Sequence, residues 1–429
     1  MGPGWVMALL GRSLANGSDG EQATMDRRGF LRNILAAGAG AGLSCVATLL
    51  GGCAKRDEPV ATSTAPGVTS TPTRATGDHE ARFYRRLADD AVQCELCWRR
   101  CVVRPGELGF CYNRKNVDGT YYSVVYGRAA ALQIDPIEKE PAFHMLPGGT
   151  IFCTGTASCN NRCRFCQNWH LSQQTTWEVH HYDRTPDEIV AQAREGAAEA
   201  YVQRPDGSLG PFACDAVSFT YNEPTVFYEF MYDIAARAKD KGMWALLHTN
   251  GGMNREPMLE LLGLMDAVTV DLKAFTDEFY SKVSSARLGP VLSTLETIRG
   301  AGKHLEIVNL VIPTLNDDLD DIRRMCAWIV TNLGGDVPLH FTRFFPAYKL
   351  QRLSPTPVET LEAAAQVADA EGVQYVYIGN TPGHRRNSTF CPGCGEMLIS
   401  RMHFAVIEVS LDHGKCPACG QEIPGIWWD

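Results

Sequence analysis

The chain has 429 residues, 45% of them hydrophobic, and a formal net charge of −9. That length and apolar content can fill one large core with appendages, or two domains. The acidic balance excludes a general nucleic-acid binder, which needs a basic face to neutralise phosphates. Sixteen cysteines, mostly in C-x2-C groups, follow the grammar of metal and cluster ligation and not that of a small disulfide framework.

Residues 1–53 read as a signal segment. Asp26-Arg27-Arg28-Gly29-Phe30-Leu31 precedes an uncharged, Gly/Ala-rich stretch from Ile34 to Cys53. Paired arginines before such a stretch resemble a twin-arginine export signal, and Leu50-Gly51-Gly52-Cys53 resembles a lipoprotein cleavage box with Cys53 as the lipidated residue. An uncleaved membrane anchor is the alternative, because the stretch is about long enough to span a bilayer. Met25, directly before the arginines, is the expected start of translation. The expected location is the cell envelope, with the cytoplasm as the alternative. Residues 54–80, rich in Pro, Thr, Ser and Ala, should form a flexible linker, since they bury too little surface to offset ordering.

Residues 81–144 form a first cysteine module, Cys94-x2-Cys97-x3-Cys101-x9-Cys111. Four thiolates within so short a span can surround zinc or an iron–sulfur cluster. Zinc comes first because nothing nearby gives a redox cue, and a pair of disulfides is the reading that export would favour. Ser123 to Gln133 alternates as a strand would, and Asp135-Pro136-Ile137-Glu138-Lys139 leads onward.

From Gly149 to residue 386, short apolar runs alternate with helical periodicity, the pattern of a parallel sheet with helices outside it. Strands are predicted at Thr150–Cys153, Ala216–Thr220, Trp244–His248, Ala267–Asp271, Glu306–Ile312, Leu339–Arg343 and Gln374–Ile378. Helices are predicted at Pro186–Ala198, Thr225–Lys241, Glu256–Leu264, Leu288–Ala301, Asp317–Asn332 and Pro357–Glu371. The fold class is therefore α/β, a partial or full (β/α) barrel over residues 145–386, whose chemistry should lie at the C-terminal strand ends.

After the first of these strands comes Cys159-x3-Cys163-x2-Cys166, with Phe165 before the last cysteine. Three thiolates are one too few to close a tetrahedral zinc or to cap every iron of a four-iron cluster, so such a cluster keeps one iron open for another ligand. Polar residues gather at the other strand ends: Asn222 and Glu223, Thr249 and Asn250, Asp271 and Lys273, with His340 on the sixth strand. Helix capping or turn formation explains any one of them. It explains the set poorly. Cys153, Cys214 and Cys326 stand alone and read as packing. The tail, 387–429, carries Cys391-x2-Cys394 and Cys416-x2-Cys419, read as a zinc ribbon that substitutes for a core.

The C-x3-C-x-aromatic-C loop resembles the signature of the radical S-adenosylmethionine (SAM) superfamily. The segments Thr220–Thr225, Thr249-Asn250-Gly251, Asp271-Leu272-Lys273 and His340–Pro346 look like those of the branch containing the pyruvate formate-lyase activating enzyme. From Cys94 to Trp428 the chain looks most like the radical SAM component of the AmmeMemoRadiSam system, including Pro136–Lys139 and Cys166-Gln167-Asn168-Trp169. The resemblance implies a 4Fe-4S cluster on Cys159, Cys163 and Cys166, and SAM held near Phe165, with its amino group at Asn222 and Glu223. It also implies that Thr249, Asn250, Asp271 and Lys273 line the carboxylate and ribose region, that His340 approaches the ribose, and that Lys273 and His340 are the catalytic candidates. The expected reaction is reductive cleavage of SAM to a 5′-deoxyadenosyl radical and hydrogen abstraction from a substrate, small molecule or protein. Expected partners are a low-potential electron donor, the other AmmeMemoRadiSam components and, through the N-terminal segment, a membrane. A glycyl-radical activase, or an exported metal-binding protein without turnover, is the alternative.

Overall fold

The structure is a computed structural model that describes residues 79–203, 209–212 and 214–428, which fall within one compact unit. The signal segment and nearly all of the linker lie outside the described residues. His79–Glu80, at the start of the described residues, pairs in a strand with Tyr122 and Ser123, so the first module includes residues before the expected boundary at 81.

The central sheet has eight strands in sequential order. They are β1 (Ala131–Pro136), β2 (Thr150–Gly155), β3 (Ala216–Phe219), β4 (Trp244–Thr249), β5 (Ala267–Asp271), β6 (His304–Val311), β7 (Leu339–Arg343) and β8 (Val376–Gly379). β2 to β8 run parallel, while β1 lies antiparallel against β2. β1 and β8 are not paired, so the barrel is partial. Because β1 belongs to this sheet, the barrel starts well before residue 145, and the first cysteine module ends correspondingly earlier. Residues 197–203 and 209–212 form a separate hairpin that sequence periodicity did not indicate.

The covering helices are α1 (Pro186–Glu195), α2 (Tyr228–Asp240), α3 (Arg255–Leu262), α4 (Leu288–Gly300), α5 (Leu319–Asn332) and α6 (Val358–Ala370). α1 starts where it does because Thr185 and Glu188 form a capping box around Pro186. α5 starts at Asp318, whose carboxylate accepts from the amides of Asp320 and Asp321. Its buried Ile322, Met325, Cys326 and Ile329 mark the 3.6-residue stripe laid on the sheet.

The tail closes the N-terminal end of the barrel. Ile426 bridges Met145, and the Trp428 indole donates to Pro147 O at 2.9 Å. Just before β2, the amides of Phe143 and His144 donate to Glu306 of β6 at 3.1 and 2.8 Å. His144 bonds Pro424 O and the Tyr377 hydroxyl, and burial pushes its pKa down to about 3, so it is neutral there. Arg401 donates to Phe143 O, Thr389 and Glu138, tying the tail to the segment between β1 and β2. The barrel is thus plugged at one end and open at the other.

Candidate functional site

The open end leads into a pocket walled by the C-terminal ends of the strands, and Cys159, Cys163, Cys166 and Phe165 line it. Asn222, Glu223, Thr249, Asn250, Asp271, Lys273 and His340 line the same pocket. The structure therefore brings together all the residues singled out around the three-cysteine loop. Their engagements differ, however, and those differences define what each can do.

Asn222 pins the start of the cysteine loop. Its carbonyl accepts from Thr156 N at 2.9 Å, and its amide lies 3.1 Å from Thr156 Oγ1, 3.1 Å from Ala157 O and 2.9 Å from Ser158 O. The backbone on both sides is unusual. Ser158 and Tyr221 sit at φ of 70° and 69°, and for a bulky aromatic residue that is an outlier of the kind found at functional sites.

Glu223 ties the ends of β3 and β4 together. It accepts from Thr225 N at 3.1 Å, Thr225 Oγ1 at 2.5 Å, Thr249 Oγ1 at 2.7 Å and Asn250 N at 2.8 Å. Oε1 carries three of these bonds and Oε2 one, so Oε2 keeps a free acceptor site. Asn250 in turn donates to Asn160 Oδ1 at 2.8 Å, within the cysteine loop. Its side-chain nitrogen also lies 3.7 Å from Cys159 Sγ.

Along the opposite wall runs a chain of charges. Lys273 donates to Asp271 at 2.9 Å, and His248 stands between Asp271, at 3.3 Å, and Glu140, at 3.1 Å. Burial alone would strip the proton from His248, but Asp271 and then Glu140 hold its pKa up to about 10. Burial likewise opposes the charge on Lys273, which Asp271 and Cys163 more than restore. Lys273 also lies 5.7 Å from the centre of the Phe165 ring, bringing a cation beside the loop.

His340 stands apart from the strand-end group. It is the second residue of β7, near the plugged end, with Nε2 2.6 Å from Glu306 and its ring stacked on Tyr377. The sequence placed it with residues at the C-terminal ends; the structure makes it part of the pocket floor. Sequence reasoning counted His248 among the polar strand-end residues without giving it a role, left Glu140 out and read Cys153 as packing. In the fold Cys153 Sγ lies 3.1 Å from Glu140, and Asp135, Glu140 and Cys153 bring their ligand atoms within 4.8 Å of one another. Tyr221 adds a hydroxyl 2.6 Å from Asp135. The polar residues of Asp135–Glu140 and the inward alternation of β2 were the available signals.

The donor set fits an iron–sulfur cluster. The described cysteines are free thiols, which removes the disulfide reading of the first module. Burial pushes the thiols of Cys159, Cys163 and Cys166 up, so an occupant carrying positive charge is needed to stabilise their thiolates. Donors to these sulfurs are already in place: Asn161 N donates to Cys159 Sγ at 3.3 Å, and Ser172 Oγ is 3.0 Å from Cys166 Sγ. Among the described residues, the thiols gathered within 4.8 Å of one another are instead the tail's Cys391, Cys394, Cys416 and Cys419, a set that can hold a metal ion.

A three-thiol loop at the mouth of a partial parallel barrel, beside a rim of hydrogen-bonding and charged groups, defines a metal- and cofactor-dependent α/β barrel enzyme. Residues 154–326 match the family described as the radical SAM superfamily. The uncharacterised protein MJ0808 of Methanocaldococcus jannaschii is 42% identical over 346 residues, covering 80% of this chain and 98% of that one. The pyruvate formate-lyase-activating enzyme of Listeria monocytogenes is 24% identical, covering 43% of this chain and 71% of that one. The benzylsuccinate synthase activating enzyme of Thauera aromatica is 25% identical, covering 46% and 60%. The chain belongs to the radical SAM superfamily, and it is an enzyme of that class.

Proposed function

We propose that this protein binds a 4Fe-4S cluster on Cys159, Cys163 and Cys166 and cleaves SAM reductively to abstract hydrogen from a substrate. The observation that carries the reading is the shared pocket: one buried thiol, Cys163, and two half-buried ones, Cys159 and Cys166, face the same space as Glu223, Thr249, Asn250, Asp271 and Lys273. When bound, the cluster and SAM together supply one electron and a 5′-deoxyadenosyl radical. The chain's own residues do the positioning. Lys273 would offer its ammonium to the SAM carboxylate, and the free acceptor site of Glu223 Oε2 would accept a hydrogen bond from the SAM ammonium. Thr249 and Asn250 set the wall behind that group, and Asn222 fixes the loop on which the thiols ride. Asp271, held by Lys273 and His248, would accept from the ribose hydroxyls, while His340, anchored by Glu306, forms part of the pocket floor.

A second reading, an activase that places a radical on a partner protein, is favoured by the activating enzymes among its relatives. Membership in the AmmeMemoRadiSam family is supported by the first cysteine module, the Pro136–Lys139 segment and the tail. On that reading the tail set holds zinc, with Cys391 and Cys419 sulfurs 3.5 Å apart and Cys394 and Cys416 sulfurs 3.6 Å apart. Envelope attachment through Arg27-Arg28 and Cys53 completes the proposal, and cell fractionation tests it.

Paramagnetic resonance of the reduced, reconstituted protein tests the core of this reading. Adding SAM should change a cluster signal in the wild type, and Cys163→Ala should abolish that change. A wild-type signal indifferent to SAM would overturn it.

A further inference from the structure

The first cysteine module surrounds a small internal cavity lined by Cys94, Cys97, Cys101 and Cys111 together with Arg114 and Asn160. The geometry of these four thiols differs from that of the tail. A zinc ion binds thiolates at about 2.3 Å, which in a tetrahedron brings sulfurs to roughly 3.8 Å of one another. The tail sulfurs meet that spacing. Among the described residues, the thiols of the first module are not a set whose sulfurs lie within 4.8 Å, although all four line one cavity. Sulfurs spread around a space suit an inorganic core in place of a single ion.

A second observation concerns the walls. Arg114 Nε and Asn160 Nδ2 are buried donors without a hydrogen-bond partner, on residues that are 1% and 0% exposed. Arg114 otherwise donates to Arg82 O and pairs with Glu229. Asn160 accepts from Asn250 at 2.8 Å through its oxygen. Leaving such donors unmet costs about 1–3 kcal/mol each, unless something in the cavity accepts from them. Cluster sulfide and thiolate sulfur are acceptors of that kind, and the guanidinium groups of Arg114 and Arg99 offset their negative charge. Arg99 lies within electrostatic reach of Cys97, Cys101 and Cys159.

The structure assigns to Cys94, Cys97, Cys101 and Cys111 a second iron–sulfur cluster, capped on all sides by protein thiolates, where zinc was the first expectation from sequence. Full capping leaves no open iron, so this is not a second SAM site. Asn160, which walls the cavity, directly follows Cys159, so neighbouring residues of one loop serve the two sites. On the proposed function above, that places the second cluster to pass one electron to the first. The electron comes from a low-potential one-electron donor, which is oxidised by one electron as the first cluster is reduced by one.

The test uses the full chain carrying Cys159→Ala, Cys163→Ala and Cys166→Ala, reconstituted anaerobically with ferrous iron and sulfide. Acid-labile sulfide is expected at about two or four per chain, with as much iron in excess of any held by the tail. Adding Cys97→Ser and Cys101→Ser should remove the sulfide and leave the tail's metal, which reports that the chain still folds. A triple variant free of sulfide and carrying a second zinc would overturn the assignment. Failure of the SAM-cluster proposal looks different, because the wild type and the triple variant would then hold equal sulfide.

Discussion

Glu223→Gln offers the sharpest test of how the strand ends are assembled. The carboxylate receives four donors, two from Thr225, one from Thr249 and one from Asn250. A glutamine has one oxygen, and its least costly orientation keeps that oxygen toward the three donors on Oε1. Its amide then faces the Asn250 N–H, leaving two donors opposed in a buried site. An orphaned buried N–H costs about 1–3 kcal/mol, and the three surviving bonds lose the help of a full charge, so a loss of about 3 kcal/mol follows. That corresponds to roughly a hundredfold in the local opening equilibrium. Hydrogen exchange of the apo-protein, followed on a peptide covering 249–252, should therefore quicken by about that factor. Distant helices such as α5 should not change. Exchange at 249–252 equal to wild type would show that Glu223 does not hold the β4 turn, and the positional account of Asn250 and Cys159 would fall with it.

Arg401→Met should destabilise the protein by about 3–5 kcal/mol, because it strands Glu138 in a site where both side chains are fully buried. Urea unfolding should show partial recovery when Glu138→Gln is added, and equal losses in single and double variants would refute the pairing. His248 has a pKa raised to about 10, so its contribution is complete below about pH 6.5 and declines as pH rises through 10. The stability gap between wild type and His248→Gln should narrow over that range, and parallel curves would contradict the charged state. Gly155→Ala puts a methyl 2.8 Å from Thr220 O and 3.3 Å from Tyr221 Cβ, at the strand end that feeds the cysteine loop. A loss of about 1–3 kcal/mol and weaker cluster incorporation should follow, measured by unfolding and by iron content. Wild-type values in both would refute the close approach.

Much of the barrel was legible because parallel strands buried on both faces read as continuous apolar runs. Ala267–Asp271 and Leu339–Arg343 match their predicted limits, and α4 and α5 differ only at their ends. The cysteine loop and the rim at Asn222, Glu223, Thr249, Asn250, Asp271 and Lys273 were legible for a related reason: polar residues ending apolar strands are costly unless they face a pocket. What escaped depends on distant contacts. For His340, second in a strand whose limits were read correctly, what escaped was its partner Glu306 on the neighbouring strand. Cys153 looked like packing because Glu140 and Asp135 reach it only once β1 pairs antiparallel with β2. The tail's plug depends on Arg401, Trp427 and Trp428 meeting a segment some 260 residues earlier, as in the Arg401–Phe143 bond.

The central claim is that three thiolates at the barrel mouth arm SAM for one-electron cleavage. Its most direct test is product analysis of the anaerobically reconstituted wild type given SAM and a low-potential reductant. Formation of 5′-deoxyadenosine in the wild type, and its loss in Cys163→Ala with the tail metal retained, is the predicted result. A wild type with its iron and sulfide verified that leaves SAM intact would contradict the account.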